Sequence, residues 1–158
     1  MGTIELRLNQ MGYELPAPFV FPNVNRTGCT RAGTLLLLSG HGLDLPKLPK
    51  VRQTGKLGVD MTVEEGYATA RAVALTMLAT IKAHCGDLDR VKRVLRLFGM
   101  CNCAPDFVHQ PQVIDGASDL FFQLWGPEFG RHARSAVGLA ALPRGIAVEI
   151  NGEFELRS

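Results

Sequence analysis

The longest periodic stretch of the chain places apolar side chains three or four residues apart. The positions that follow this spacing are Val63, Tyr67, Ala70, Val73, Ala74, Met77, Leu78 and Ile81. Such a repeat is typical of a helix that buries one face. Thr62 and Glu65 have the spacing of a capping box, and Gly86 supplies a stop. The pattern therefore predicts a helix that starts at Thr62 and ends near Ala83–Cys85.

Two other segments have helical patterns. Gln112 to Trp125 is predicted to be a helix that ends at Gly126-Pro127. Its apolar face consists of Val113, Ala117, Leu120, Phe121 and Leu124. A short helix is expected from Ile4 to about Met11, with Thr3 as its cap. Tyr13–Asn25 contains three prolines, which fix φ and remove backbone donors, and this segment is predicted to be an extended connector.

The remaining apolar runs are short and rich in β-forming residues, which predicts strands. The predicted strands are Arg26–Arg31, Thr34–Ser39, Val91–Met100, His132–Leu139 and Ile146–Glu155, with a further short one at Gly55–Val59. The all-apolar run Leu35–Leu38 predicts a strand covered on both faces, and Gly40–Thr54 is predicted to be a loop. Two strands joined through a helix favour a mixed sheet with the helices on one face, which is an α+β fold.

The size and composition of the chain fit one globular domain, predicted to span residues 1–158, with the N-terminal helix and connector occupying residues 1–25. The chain has 158 residues, of which 46% are hydrophobic and 20% charged, and 17 basic residues nearly balance 15 acidic ones. This balance favours neither nucleic acid nor a membrane as a partner. No apolar run approaches the ~20 residues of a membrane span, and the first ten residues lack a secretory signal. A cytoplasmic protein with free thiols is expected.

The motifs give little support for a zinc site, a nucleotide-binding loop or a serine hydrolase. Cys101-Asn102-Cys103 could form a zinc site with other cysteines or histidines, but the spacing matches no known zinc motif, and buried free cysteine is the simpler interpretation. The candidate partners are Cys29, His84, Cys85 and His109. Ser39-Gly40-His41-Gly42 follows an apolar strand but lacks a nucleotide-binding fingerprint, so a loop lining a smaller ligand is favoured. Ser118 lies outside any G-x-S-x-G motif, which argues against a serine hydrolase, although four histidines could serve as bases.

Arg134 is the most informative single residue. It begins an apolar strand just after a glycine-rich turn, and its planar guanidinium can bind a carboxylate through two parallel hydrogen bonds. A surface arginine is the alternative. Glu149, in Val148-Glu149-Ile150 on the next strand, could orient a water if it pointed into the same cleft, and is otherwise a solvated strand residue. The residue types thus indicate a small anionic ligand held at Arg134.

Four sequence blocks together resemble the Rid family of reactive intermediate deaminases, also called YjgF-like or L-PSP endoribonuclease-like proteins. The blocks are Leu36–Gly42, Gly58-Val59-Asp60 with the helix that follows, Ala133–Val137 with Leu142-Pro143, and Val148-Glu149-Ile150. Their order and spacing match over roughly residues 30–155. The series Arg-Ser-x-Val, Leu-Pro and Val-Glu-Ile is the most specific part.

The resemblance implies a chorismate-mutase-like subunit and a homotrimer with ligand clefts between subunits. It implies that Arg134 holds the carboxylate of a 2-imino or enamino acid, and that Glu149 places the water that hydrolyses the C=N bond. The products are a 2-keto acid and ammonia. Ser39, Gly40, Cys101 and Asn102 are expected to line the substrate pocket, and no metal or organic cofactor is expected.

Two positions next to Arg134 depart from the archetypal deaminases. His132 stands in place of a proline and Ala136 in place of a cysteine, and the archetype's helix asparagine falls somewhere in Ile114–Asp119.

Two functions follow as hypotheses. The chain is an imine and enamine deaminase, or it is a non-catalytic protein that binds a small carboxylate in the same cleft. Ribonuclease activity ranks last because the charge is balanced.

Overall fold

The computed structural model describes residues 2–158, so Met1, the first residue of the predicted domain, lies outside the described residues. The helices are α1 (Thr3–Gln10), α2 (Val63–Cys85) and α3 (Gln110–Phe129), and the strands are β1 (Cys29–Ala32), β2 (Leu35–His41), β3 (Val91–Asn102), β4 (Ala133–Leu139) and β5 (Val148–Leu156). Two single 3₁₀ turns lie at Leu88–Arg90 and Pro143–Gly145. None of the helices in residues 2–158 is long and apolar enough to cross a membrane.

The five strands form one mixed sheet in the order β1-β2-β5-β3-β4. All neighbours are antiparallel except β3 and β4, which are parallel and are joined through α3. Both long helices pack against each other and against the same face of the sheet. The predicted α+β architecture is confirmed, including the mixed sheet with its two main helices on one face.

Helix α2 begins and ends where the sequence predicts. The Thr62 side chain accepts a hydrogen bond from the Glu65 amide at 3.1 Å, and the Glu65 carboxylate accepts one from the Thr62 amide at 2.9 Å. At the other end Gly86 adopts φ 82° and donates its amide to the Lys82 carbonyl at 2.7 Å. The capping box and the glycine stop therefore both form.

Helix α3 is longer than predicted. It starts at Gln110 rather than Gln112, and a last turn continues to Phe129. Gly126 interrupts the helical geometry with φ 75° and ψ −176°, so the regular helix does break at the predicted position. The turn after Pro127 resumes because a proline is tolerated at the start of a helical segment.

Three predictions about strands and caps are wrong. Gly55–Val59 forms only isolated bridges, since Gly58 has φ 80° and the Asp60 carboxylate accepts the Lys56 amide at 2.6 Å, which closes a turn instead. The first strand starts at Cys29 rather than Arg26. The cap of α1 is Gly2 rather than Thr3, and the Asp89 carboxylate, remote in sequence, accepts the first helical amides at 2.7 and 2.8 Å.

The leucine run of β2 is covered by its own chain on one face only. Leu36 and Leu38 are buried against the helices, whereas Leu35 and Leu37 are half-buried on the opposite side. Leu35 pairs with Glu155 and Leu37 with Glu153, and these glutamates share that side. The prediction of burial on both faces is therefore not met within one chain. We call the two sides the helix-covered face and the open face.

The two long helices cross closely at Gly116 of α3. A Cβ atom added there would lie 2.0 Å from the Tyr67 carbonyl oxygen of α2, closer than any real contact. Because the obstacle is backbone, a side chain could fit only if the helices moved apart.

We therefore expect Gly116→Ala to destabilise the protein by about 1–3 kcal/mol, although the same change on an exposed helix stabilises it. Thermal unfolding should show a melting temperature lower by roughly 3–10 °C. Gln112→Ala, at an exposed position of the same helix, is the matched control and should leave the melting temperature almost unchanged. An unchanged melting temperature for Gly116→Ala would contradict the close crossing.

Candidate functional site

Arg134 on β4 points to the helix-covered face and contacts α3. Its register partner on β3 is Leu97, which is fully buried, so the two side chains lie on the same face. Only 20% of the Arg134 side chain is exposed. Nη1 donates to Asp115 Oδ1 at 2.6 Å and to Ser118 Oγ at 3.1 Å, and Nη2 donates to the Pro111 carbonyl at 3.4 Å. The arginine is thus held in place by one helix.

The three partners of Arg134 share one side of α3 because of helical geometry. Pro111, Asp115 and Ser118 are spaced four and three residues apart, which stacks them on one stripe. That stripe faces β4 because the side of α3 that carries Gly116 is turned toward α2. The carboxylate of Asp115 is 47% exposed, so the ion pair lies at the edge of the fold rather than inside it.

His132 completes this group of side chains. Its Nδ1 lies 2.7 Å from the Gly130 carbonyl oxygen and its Nε2 lies 3.0 Å from Ser118 Oγ. A carbonyl only accepts hydrogen bonds, so Nδ1 carries the proton and the unprotonated Nε2 accepts from the serine hydroxyl. Burial lowers the pKa of His132, and the positive charge of Arg134 lowers it further, whereas the bond to the Gly130 carbonyl opposes both effects. The imidazole is therefore neutral near pH 7.

A cavity of about 280 Å³ opens beside these residues. Ser118, His132 and Arg134 form part of its wall, and the rest comes from Asp119, Phe122, Gly130 and Arg131. A volume of this size suits a small metabolite. The wall combines two arginines, a neutral histidine and one aromatic surface with a single aspartate, which accepts a hydrogen bond from the Tyr67 hydroxyl. Because the positive charges outnumber the negative one, the cavity can take a small molecule with a negative charge.

Glu149 lies on the other side of the sheet. Its register partner is Met100, three residues from Leu97, and side chains an odd number of residues apart along a strand point to opposite faces. Glu149 therefore points to the open face, and within one chain it cannot reach a ligand at Arg134. It makes no hydrogen bond or ion pair within residues 2–158, and burial raises its pKa.

The glutamate instead faces the end of β2. A Cβ atom on Gly40 would lie 2.6 Å from Glu149 Oε2, so only glycine leaves room for this carboxylate at its present position. The two residues share a small cleft of about 50 Å³ with Phe19, His41 and Pro143. The structure thus brings together two of the predicted site residues, Glu149 and Gly40, apart from Arg134.

The other predicted pocket residues are held by the fold itself. Ser39 donates its hydroxyl to the Thr27 carbonyl at 2.6 Å. Cys101 is fully buried on the helix-covered face, and burial is the main reason that its pKa rises to about 12. Asn102 accepts from Lys56 Nζ at 2.8 Å and donates to the Gly55 carbonyl at 3.2 Å. The roles of all these residues in binding remain predictions.

Three residues around Arg134 were absent from the predicted site: Asp115, Ser118 and His132. Two signals in the sequence point to them. Asp115 and Ser118 are three residues apart on a predicted helix, and His132 stands two residues before Arg134, which places both on one face of an extended segment. What the sequence could not show was that this face of β4 meets that face of α3.

The cysteines do not assemble a metal site among residues 2–158. No three side chains of histidine, cysteine, aspartate or glutamate in this part of the chain lie close enough to hold a metal ion. All four cysteines are free thiols, as predicted. Burial raises the pKa of Cys29 to about 11, so this thiol stays protonated at neutral pH.

The mixed sheet, the two helices on one face and the arginine at the start of β4 define the class of α+β protein that includes the chorismate-mutase-like subunits. The family model described as "YjgF/chorismate_mutase-like, putative endoribonuclease" matches residues 5–146. The chain therefore belongs to the YjgF/chorismate mutase-like family.

Individual relatives are similar to this chain over nearly its whole length. The chain is 44% identical to Protein TCP17 of Trypanosoma cruzi, over 99% of this chain and 96% of TCP17. The crystal structure of Atu1372 from Agrobacterium tumefaciens, a protein of unknown function, superposes with a TM-score of 0.86 at 39% identity, covering 98% of this chain and 93% of that one. TdcF of E. coli, solved with bound serine, shares the fold at 20% identity and a TM-score of 0.54, covering 90% and 94% of the two chains.

The raised pKa of Glu149 predicts how stability depends on pH. A folded-state pKa above the unfolded one means that stability is full at low pH and is lost as pH rises through the folded pKa. Glu149→Gln removes this loss, so the melting temperature of the variant should rise relative to that of the parent as the pH increases above 4.5, the ordinary pKa of a glutamate.

Glu153 supplies a control of opposite sign on the same strand and the same face. A hydrogen bond from Arg96 lowers its pKa, so the parent holds this stabilisation in full above pH 4.5 and loses it as the pH falls. Glu153→Gln should therefore have a lower melting temperature than the parent at every pH above 4.5. If the two variants shifted in the same direction, the environment assigned to Glu149 would be incorrect.

Proposed function

We propose that the protein hydrolyses small 2-imino or enamino acids to 2-keto acids and ammonia. The observation that carries the proposal is the half-buried guanidinium of Arg134, held by α3 at the wall of a cavity large enough for such a molecule. Membership of the YjgF/chorismate mutase-like family is consistent with this chemistry. Neither a metal nor an organic cofactor is required by the reaction that we propose.

The charges around Arg134 fit the substrate class. A protonated 2-imino acid carries a carboxylate and, one carbon away, an iminium group. Arg134 donates to the carboxylate, and Asp115, which pairs with Arg134 at 2.6 Å, can accept from the iminium N–H once the substrate lies between them. Holding the iminium in its protonated form keeps its carbon electrophilic, so orientation of a water supplies much of the remaining acceleration.

Glu149 takes part in this reaction only if it comes from a second copy of the chain, because its own Arg134 lies on the opposite face. We propose a homotrimer with the substrate clefts between subunits. The open face supports an assembly, since it presents six apolar side chains beside the two ion pairs Arg96–Glu153 and Lys92–Glu155. These side chains are Leu35, Leu37, Phe98, Met100, Val137 and Leu139, all half-buried or exposed. Burying them against another copy would be favourable.

A non-catalytic carboxylate-binding protein is the second candidate. It is favoured by the position of Glu149, which lies on the face opposite Arg134 and so leaves the cavity of one chain without the carboxylate that would place a water. In either case we propose a cytoplasmic protein that acts on a small carboxylate-bearing metabolite, with neither nucleic acid nor membrane as a partner. The nearly equal numbers of basic and acidic residues are consistent with this.

Substitution of Arg134 tests the deaminase proposal. Imines are generated in situ from several amino acids, and their decay is followed with and without the protein. The parent should accelerate decay, and Arg134→Ala should raise KM by about 10- to 100-fold through loss of charge-assisted hydrogen bonds. Arg134→Lys should raise KM less because it keeps the charge. Arg26→Ala, at an exposed arginine, is the control and should behave like the parent.

No acceleration with any of the imines would exclude the deaminase. Retained binding of small carboxylates by the parent, lost in Arg134→Ala, would then favour the second candidate.

The homotrimer is tested separately by light scattering at micromolar protein. The expected mass is about three times 17.2 kDa, and Met100→Lys at the open face should lower it. A monomer-sized peak for the parent would contradict both the trimer and any contribution of Glu149 from a neighbouring subunit.

A further inference from the structure

The hydroxyl of Ser118 has one hydrogen-bonding position to spare. A serine hydroxyl offers one donor and two acceptor positions. Its donor goes to His132 Nε2 at 3.0 Å, and one acceptor position takes the Arg134 Nη1 hydrogen at 3.1 Å. No other hydrogen bond involves this oxygen within residues 2–158, and the residue lines the 280 Å³ cavity. The second acceptor position can therefore receive a hydrogen bond from a water in that cavity.

We propose that Ser118 and His132 form the proton-accepting pair of this site, and that they take the proton of the water that attacks a substrate anchored on Arg134. The inference rests on the proposed deaminase function and assigns to this pair the task that the family resemblance gives to Glu149. It explains how a single chain could activate a water although its own Glu149 points to the other face of the sheet.

The proton transfers balance with water as the only co-reactant. The water oxygen bonds to the iminium carbon as the C=N π electrons move to nitrogen. The water proton passes to Ser118 Oγ while the serine proton passes to His132 Nε2, which leaves a carbinolamine and an imidazolium. The imidazolium then returns its proton through Ser118 to the amino nitrogen. The C–N bond breaks as the hydroxyl becomes a carbonyl, and the hydroxyl proton leaves with ammonia as ammonium.

The surroundings of His132 suit a base rather than a permanent cation. The positive charge of Arg134 on β4 disfavours an imidazolium, and Arg131 in the preceding turn, also positive, lines the same cavity. Asp115 and Asp119 on α3 are the acidic groups nearby, but Asp115 is paired with Arg134, and Asp119 accepts from the Tyr67 hydroxyl at 2.7 Å. Phe121 covers the ring from the edge, with centroids 6.5 Å apart. The imidazole is therefore neutral in the resting site. It carries a proton only until that proton returns through Ser118 to the amino nitrogen.

A second histidine shows which features are specific to this pair. His41 also places Nδ1 on a nearby carbonyl, that of Ser39 at 2.7 Å, and Nε2 on a helix hydroxyl, that of Thr80 at 2.8 Å. His41 is 2% exposed and Thr80 is 6% exposed, and no arginine joins them. That pair is explained by satisfaction of buried polar groups. The Ser118–His132 pair differs in two ways. Ser118 also accepts a hydrogen bond from Arg134, and both residues line a cavity of about 280 Å³, compared with about 50 Å³ for the cleft beside His41.

The test uses His132→Asn, which keeps a donor for the Gly130 carbonyl but removes the base, together with Ser118→Ala. Both should lower kcat for imine hydrolysis by about 100-fold or more, the usual contribution of a general base, with a smaller change in KM because Arg134 remains. His84→Gln, at an exposed histidine at the end of α2, is the control and should keep the parent's kcat.

Two readouts separate proton transfer from a purely structural role. The parent's kcat should fall as pH drops through the pKa of His132, below its ordinary value of 6.5, and His132→Asn should lack this limb. Imidazole added to His132→Ala should restore part of kcat. If the parent hydrolyses imines while His132→Asn keeps its kcat and acid limb, the inference fails and the proposed function stands. If the parent shows no hydrolysis, both fail.

Discussion

The close crossing of α2 and α3 at Gly116 sets the rotation of α3, and the polar group around Arg134 depends on that rotation. With the Gly116 side of the helix against the Tyr67 carbonyl, residues one position before and two positions after it turn away from α2. These residues are Asp115 and Ser118, at about 100° per residue along the helix. They meet Arg134 because β4 runs beside them. A side chain at position 116 would therefore disturb both packing and the orientation of these groups.

The strict alternation of side chains along strands is the second constraint. Arg134 and Glu149 are both on strands of one sheet, yet their register partners on β3 are three residues apart, and so they face opposite sides. A reaction that used both would need two copies of the chain. A reaction that uses Arg134 with Ser118 and His132 needs one. The residue that accepts the proton therefore depends on whether the chain assembles, because the sheet places Arg134 and Glu149 on opposite faces.

The hydrogen bonds among Arg134, Ser118 and His132 beside α3 run in one donor-to-acceptor order. The Gly130 carbonyl accepts from Nδ1 of His132, which leaves Nε2 to accept from Ser118, which in turn accepts from Arg134. Each bond determines the role of the next, so the histidine cannot present the other tautomer without losing a partner. This order positions a neutral base behind a hydroxyl at the wall of a cavity. His132 stands where the resemblance to the archetypal deaminases implies a proline, and it supplies the imidazole of this group.

The local patterns were enough to predict α2, the break of α3 at Gly126, and four of the strands to within two residues at each end. They also identified Arg134 as a candidate anion-binding residue and, through the family resemblance, the class of fold. These features depend on interactions between residues close together in the chain, such as the capping box of Thr62 and Glu65, or on residue types that have one dominant use.

The contacts that form the site could be read only from the folded chain. Asp115 and Arg134 are 19 residues apart, and their meeting depends on how α3 is rotated and on which face of β4 it covers. In the same way, Leu35 and Leu37 are left half-buried, and Glu149 is turned away from Arg134, by the pairing of strands that are distant in sequence. Periodicity shows that a strand has two faces. Only packing against the helices decides which face of each strand, and therefore which of its residues, lies at the site around Arg134.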